Sequence, residues 1–74
     1  MGVEFLIRDK LSESLVLWSF KVDRFGFVHV YIEGIFTDTL YALGKIDSFE
    51  ILTDKVTAQL SEWQVEWHSF SKTS

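Results

Sequence analysis

Cysteine and proline are absent from this 74-residue chain, and glycine occurs only four times. Without cysteine there is no disulfide to restrict the unfolded state and no thiolate set for a structural zinc site, and two histidines do not supply one. The absence is compatible with a reducing compartment, and the expected location is cytoplasmic. Long apolar runs are also missing. Glu4, Arg8, Asp9 and Lys10 interrupt the first apolar segment, so no secretory leader is expected there. No stretch approaches the ~20 residues of a membrane-spanning helix, so no membrane partner is expected. Gly2, Gly26, Gly34 and Gly44 lie too far apart to form a phosphate-cradling loop. A basic excess is lacking as well. Seven Lys and Arg stand against eleven Asp and Glu, for a net charge of −4. Residues 1–25 are balanced and residues 26–74 carry the whole deficit, which disfavours general binding to a phosphate backbone.

What the chain has in quantity is apolar and aromatic surface, 47% and 16% of its residues. A chain this short forms one domain over 1–74, whose core supplies only ~3–5 kcal/mol without staples. Self-association or a permanent protein partner is the remaining route to stability, and the aromatic surplus is expected to face that partner.

Leu15–Val22 alternates, with Val16, Trp18, Phe20 and Val22 on one face. Asp23, Arg24, Phe25 and Gly26 form a turn, and Phe27–Ile32 returns with Val28, Val30 and Ile32 on one face and Phe27, His29 and Tyr31 on the other. Both faces of this hairpin are largely apolar, so the sheet is expected to be covered once by its own domain and once by another molecule. Val3–Ile7 reads as a further strand, 9–14 as a loop, and Gly34 ends the second arm. Thr39–Leu43 and Ile46–Leu52 read as two more strands, with a short helix opening at Thr37 or Asp38 the rival for the first. Val56, Leu60, Trp63, Trp67 and Phe70 recur at steps of four and three, which predicts a helix capped by Thr53 or Asp54. The competing pattern places Trp63, Val65 and Trp67 on one face of a strand. Residues 69–74 read as a frayed tail.

The predicted fold is therefore α+β: a small, strongly twisted antiparallel sheet centred on the 15–36 hairpin, with a C-terminal helix across one face. An all-β small barrel is the alternative. Val28, Val30, Ile32 and Gly34, followed by Gly44, Ile46, Ser48, Phe49 and Glu50, resemble a stretched first motif of the Sm-like RNA-binding barrels. The resemblance covers about a third of the chain, the gap between Gly34 and Gly44 exceeds that family's spacing, and the second Sm motif is not recognisable. It implies a strongly bent sheet or small barrel as a fold option and carries over no functional residue.

Few residues suggest chemistry. His29 lacks an identifiable nucleophile or orienting partner in the sequence and reads as a partly buried histidine satisfied by a backbone carbonyl. Glu62, Glu66 and His68 do not offer three convergent metal ligands on a helix, because His68 points away from the shared face of the two carboxylates. No catalytic residue, metal site or cofactor is predicted. Trp18, Phe25, Phe27, Tyr31, Trp63 and Trp67 are the candidate protein-interaction residues, since large aromatics anchor interfaces. The Trp63, Trp67 and Phe70 stripe equally suits a helix packed on its own sheet. The expected function is a small acidic protein-interaction module, homo-oligomeric or a regulatory or inhibitory subunit, without catalysis. A single-stranded nucleic-acid-binding barrel using Phe25, Phe27 and Tyr31 with Lys21 and Arg24, and a small-ligand site at a subunit interface near His29, are the alternatives.

Overall fold

The alternation of apolar side chains builds one antiparallel sheet. The computed structural model of the chain describes residues 1–73. Among them five strands and one helix follow in the order β1 (Gly2–Arg8), β2 (Leu15–Val22), β3 (Val28–Ile32), β4 (Ile35–Leu40), α1 (Phe49–Glu62) and β5 (Trp67–Thr73). The spatial order is β4-β3-β2-β1-β5, so β2 is the middle strand and α1 carries the chain from one edge of the sheet to the other. This is the expected α+β arrangement. The sheet stays open, with β4 and β5 as free edges, and does not close into the alternative barrel.

Register follows the hydrophobic pattern. Val16, Trp18 and Phe20 lie opposite Ile7, Phe5 and Val3 of β1, and Phe20 and Val22 lie opposite Val30 and Val28 of β3. Val3, Phe5, Ile7, Phe20, Val28 and Val30 pack with Leu52, Val56 and Leu60 of the helix into the core. A one-residue slip in any strand would turn these side chains to the opposite face, so burial fixes the pairing. Two turns reinforce it. Asp23 Oδ1 accepts from Phe25 N–H at 2.8 Å and Phe27 N–H at 3.0 Å, while Gly26 takes φ +90°. Between β3 and β4, Glu33 and Gly34 take φ of +52° and +79°, the positive pair of a two-residue hairpin turn.

That tight turn corrects the reading of the following segment. The chain returns at once, so β4 begins at Ile35, and only Thr39 and Leu40 of the expected 39–43 strand belong to it. Ile46–Leu52 is not a strand. Ile46 is a buried loop residue, and Ser48, with extended φ of −148°, caps the helix by accepting from Ile51 N–H at 3.2 Å. The cap thus lies five residues before Thr53, and Phe49 and Glu50, aligned above with the Sm-like motif, form the first helical turn.

The helix also ends earlier than its apolar stripe suggests. Val65 N–H donates to Leu60 C=O at 2.8 Å and Gln64 N–H to Ser61 C=O at 3.0 Å, a Schellman closure with Gln64 at φ +60°. Trp67 and Phe70 then lie in β5, opposite Ile7 and Phe5, on either side of a bulge. The inserted residue lets two side chains three positions apart face the same way. The expected frayed tail is this closing strand as far as Thr73; Ser74 lies outside the described residues.

Two substitutions test these features. Gln64→Gly relieves a left-handed conformation and should raise stability by about 0.5–1 kcal/mol. Leu60→Ala, which empties a fully buried position, should lower it by about 2–5 kcal/mol. Urea midpoints check both, and a Gln64→Gly protein less stable than the parent would contradict the role given to the cap.

Candidate interaction surface

The two faces of the sheet differ in what covers them. The inner face carries the core and is covered by α1 and by Leu43 and Ile46 of the 41–48 loop. Register places three transverse rows on the outer face. The middle row is Ser71, Glu4, Ser19, Tyr31 and Phe36 from β5 to β4, flanked by Ser69, Leu6 and Leu17 on one side and Thr73, Gly2, Lys21, His29 and Thr39 on the other. No helix or strand among the described residues lies across these rows.

Large rings gather on one flank of this face. Tyr31 and Phe36 meet edge to face at 5.8 Å, Lys21 Nζ sits 5.0 Å above the Tyr31 ring, and Phe27 and Tyr41 meet at 4.9 Å. Phe36 and Tyr41 are 55% and 69% exposed. The opposite flank, on β1 and β5, carries Gly2, Ser69, Ser71 and Thr73. The outer face is therefore a ridge of rings beside a shelf of small residues, with Leu6 and Leu17 between them.

The structure divides the six expected interaction residues. Phe27 and Tyr31 belong to the ridge. Phe25 stands at the tip of the β2–β3 turn, 71% exposed, beside the Arg24 guanidinium. The three tryptophans lie on the helix side. Trp18 and Trp63 pack at 6.4 Å beneath the end of α1, and Trp67 packs on Phe5 at 5.4 Å. Phe36 and Tyr41 were not among the expected residues. The signal for Phe36 was the Glu33-Gly34 pair, which fixes Phe36 opposite Tyr31 if read as a two-residue turn.

Both free edges are guarded against strand addition. Asp38 on β4 and Lys72 on β5 occupy inward-facing positions opposite Val30 and Val3, and each edge pairing contains a bulge. Inward charges and bulges on edge strands disfavour edge-to-edge pairing. On the inner side, a groove of about 460 Å³ opens between the start of β2 and the helix end, floored by Ile7, Val16, Trp18 and Val65. Its rim mixes Arg8 and Lys10 with Asp9 and Glu66, so it favours no single ligand charge.

His29 is partnered on both nitrogens by side chains and not by the expected backbone carbonyl. Nε2 lies 2.8 Å from Asp23 Oδ2 and Nδ1 lies 2.9 Å from Thr39 Oγ1. With Asp23 ionised, Nε2–H donates to the carboxylate; Nδ1 accepts from the Thr39 hydroxyl when the ring is neutral and donates to it when the ring is charged. The order of groups resembles a hydroxyl–base–acid chain, but Thr39 N–H is tied to Asp38 Oδ1 at 2.8 Å, and Thr39 lines none of the grooves named here. The chain instead binds the β2–β3 turn to edge strand β4. Desolvation pushes the Asp23 carboxyl up, but the His29 hydrogen bond, the N–H groups of Phe27 and Phe25 and the imidazole charge outweigh it, holding the carboxyl below 3.8. Glu62 ends α1 and Glu66 follows the Schellman turn, so the two no longer share a helical face, and His68 contacts Ser69 Oγ at 3.3 Å.

No protein-family model, curated protein or solved structure matches the chain.

Because the Asp23 carboxyl is lowered in the folded state, its stabilising contribution is present above the ordinary carboxylate range and is lost as pH falls through the lowered value. Asp23→Asn should therefore melt below the parent at neutral pH, and the gap should close between about pH 5 and about pH 2. Thermal melts of both proteins across that range check this. A gap that stays constant would show that the Asp23 charge contributes nothing.

Proposed function

We propose that this protein is a non-catalytic protein-interaction module, acting as a subunit of an oligomer or as a regulatory or inhibitory subunit, and that it docks through the outer face of its sheet. The observation that carries this reading is the outer-face patch of half-buried Leu6, Leu17 and Tyr31 and exposed Phe36, which no helix or strand among the described residues covers. Apolar side chains gathered on a sheet face with no layer over them are energetically better placed against another protein than against water. The guarded edges favour docking through the face over pairing along the strands. The acidic balance of the helix side, where Glu50, Asp54 and Glu62 outnumber Lys55, would steer the choice and orientation of a partner.

A second reading has its own support. Lys21 above Tyr31 and Arg24 beside Phe25 are the ring-and-cation pairs that single-stranded nucleic acid uses. Against it, the ridge rings pack edge to face on one another, which leaves few open ring faces for base stacking, and the chain is acidic overall. Salt-dependent binding of a single-stranded oligonucleotide, lost in Tyr31→Ala, would favour this second reading.

Leu17→Lys should leave stability within about 1 kcal/mol of the parent, because the position lies outside the core. It should weaken partner binding at least tenfold, about 1.4 kcal/mol. Affinity capture from the source cells followed by titration of the purified partner measures the loss, with Phe25→Ala as a control outside the face. A partner bound equally well by Leu17→Lys would contradict docking through the outer face.

A further inference from the structure

We infer that the occupant of the outer face is a second copy of this chain, packed face to face about a two-fold axis running along β2. The inference rests on the interaction-surface reading above and supplies its partner. The middle row reads Ser71, Glu4, Ser19, Tyr31, Phe36 across the sheet, small residues and a carboxylate on one side of β2 and two rings on the other. Rotation by half a turn about β2 reverses that row over itself. Phe36 of one copy then lies over Ser71 of the other, and Tyr31 lies over Glu4, where its hydroxyl can donate to the carboxylate. Ser19, already only 7% exposed, sits at the axis and asks for little room.

The flanking rows agree with the middle one. Leu17 meets Leu17 on the axis. The His29 ring of one copy lies over Gly2 of the other, where Thr73 Oγ1 fills the place a Cβ would take, so the ring rests on the threonine side chain. Lys21 meets Lys21 at the axis, but each Nζ leans over the Tyr31 ring of its own copy, which lies over Glu4 of the other, so the ammonium faces a carboxylate. The row residues include both signs of charge, Glu4 against Lys21, so the pairing does not set a block of one sign against itself.

Area suits a weak pair. Five strands spaced about 4.8 Å apart and about 20 Å long present about 500 Å² per copy, about 1,000 Å² for the pair, which stands at the lower threshold for an interface and below the range of stable ones, in keeping with a dimer that dissociates on dilution. The two-fold arrangement is closed, since each copy uses its outer face once, and the guarded edges stop growth into filaments.

Light scattering after size exclusion, over a hundredfold range of concentration, tests the pairing. The parent should weigh twice its 8.6 kDa chain mass at the upper end and dissociate on dilution. Leu17→Lys, and independently Phe36→Lys at a position 55% exposed, should remain single chains with the parent's circular dichroism. Because the chain has no cysteine, a short bismaleimide spanning the gap of about 10 Å between packed sheets reads the axis directly. A mixture of Phe36→Cys and Ser71→Cys should cross-link several-fold more than either variant alone. A parent of single-chain mass throughout overturns the inference, as does a dimer that survives both charged variants or cross-linking equal in the mixed and unmixed samples. A single-chain parent whose capture of a different protein still depends on Leu17 removes the self-pairing and leaves the interaction-surface reading intact.

Discussion

One helix must cover one face of a five-stranded sheet, and the rest of the molecule follows from that constraint. The 14 residues of α1 span about 21 Å with a width of about 10 Å, against a sheet about 24 Å across. Leu52, Val56 and Leu60 therefore seal only the middle of the inner face, over Phe5, Phe20 and Val28. The margins are completed by large side chains from elsewhere: Trp18 against Trp63 under the helix end, Trp67 and Phe70 against Phe5, and Leu43 and Ile46 from the loop that leads into α1. Much of the aromatic content is engaged in this way, although Trp63, Trp67 and Phe70 remain 40%, 41% and 42% exposed at the margins. Nothing comparable is left within the described residues to cover the other face.

The hairpin was legible in the sequence because Leu15–Val22 and Val28–Ile32 alternate cleanly and Gly26 marks the turn between them. The helix was legible in its middle and misplaced at both ends. At its start, Ile46, Phe49 and Ile51 look like a strand pattern, and the short side chain of Ser48, which stops that pattern by capping, is easily passed over. At its end, Trp63, Trp67 and Phe70 continue the helical spacing of Val56 and Leu60. The continuation is a coincidence of two devices. Gln64 in a left-handed conformation closes the helix, and the bulge in β5 sets Trp67 and Phe70 three residues apart yet on one face. A spacing of three is ambiguous between a helical turn and a bulged strand, and only the long-range pairing with Ile7 and Phe5 decides between them.

The candidate surface was legible in kind and only partly in detail. An aromatic surplus and a hairpin with two apolar faces pointed to a face awaiting cover, and Phe27 and Tyr31 do lie on it. The tryptophans do not, because the largest side chains are the ones best able to extend the reach of a single short helix. Phe36 and Tyr41 reach the ridge through the tight Glu33-Gly34 turn, a geometric fact invisible to hydrophobic periodicity. His29 likewise acquires its partners, Asp23 and Thr39, from the turn and the edge strand. Its cross-strand chain gives the ridge a fixed base.

The claim that the middle of one face is sealed by its own helix while the other face awaits a protein is tested most directly by methyl relaxation from a soluble paramagnetic probe, read at low and high protein concentration and with any captured partner added. At low concentration the methyls of Leu6 and Leu17 should relax strongly while those of Val3, Ile7 and Val56 stay protected. Protection should then spread to Leu6 and Leu17 as the face is occupied. Strong relaxation of Leu6 and Leu17 under every condition would contradict the account, because the face would then be a permanently solvated surface.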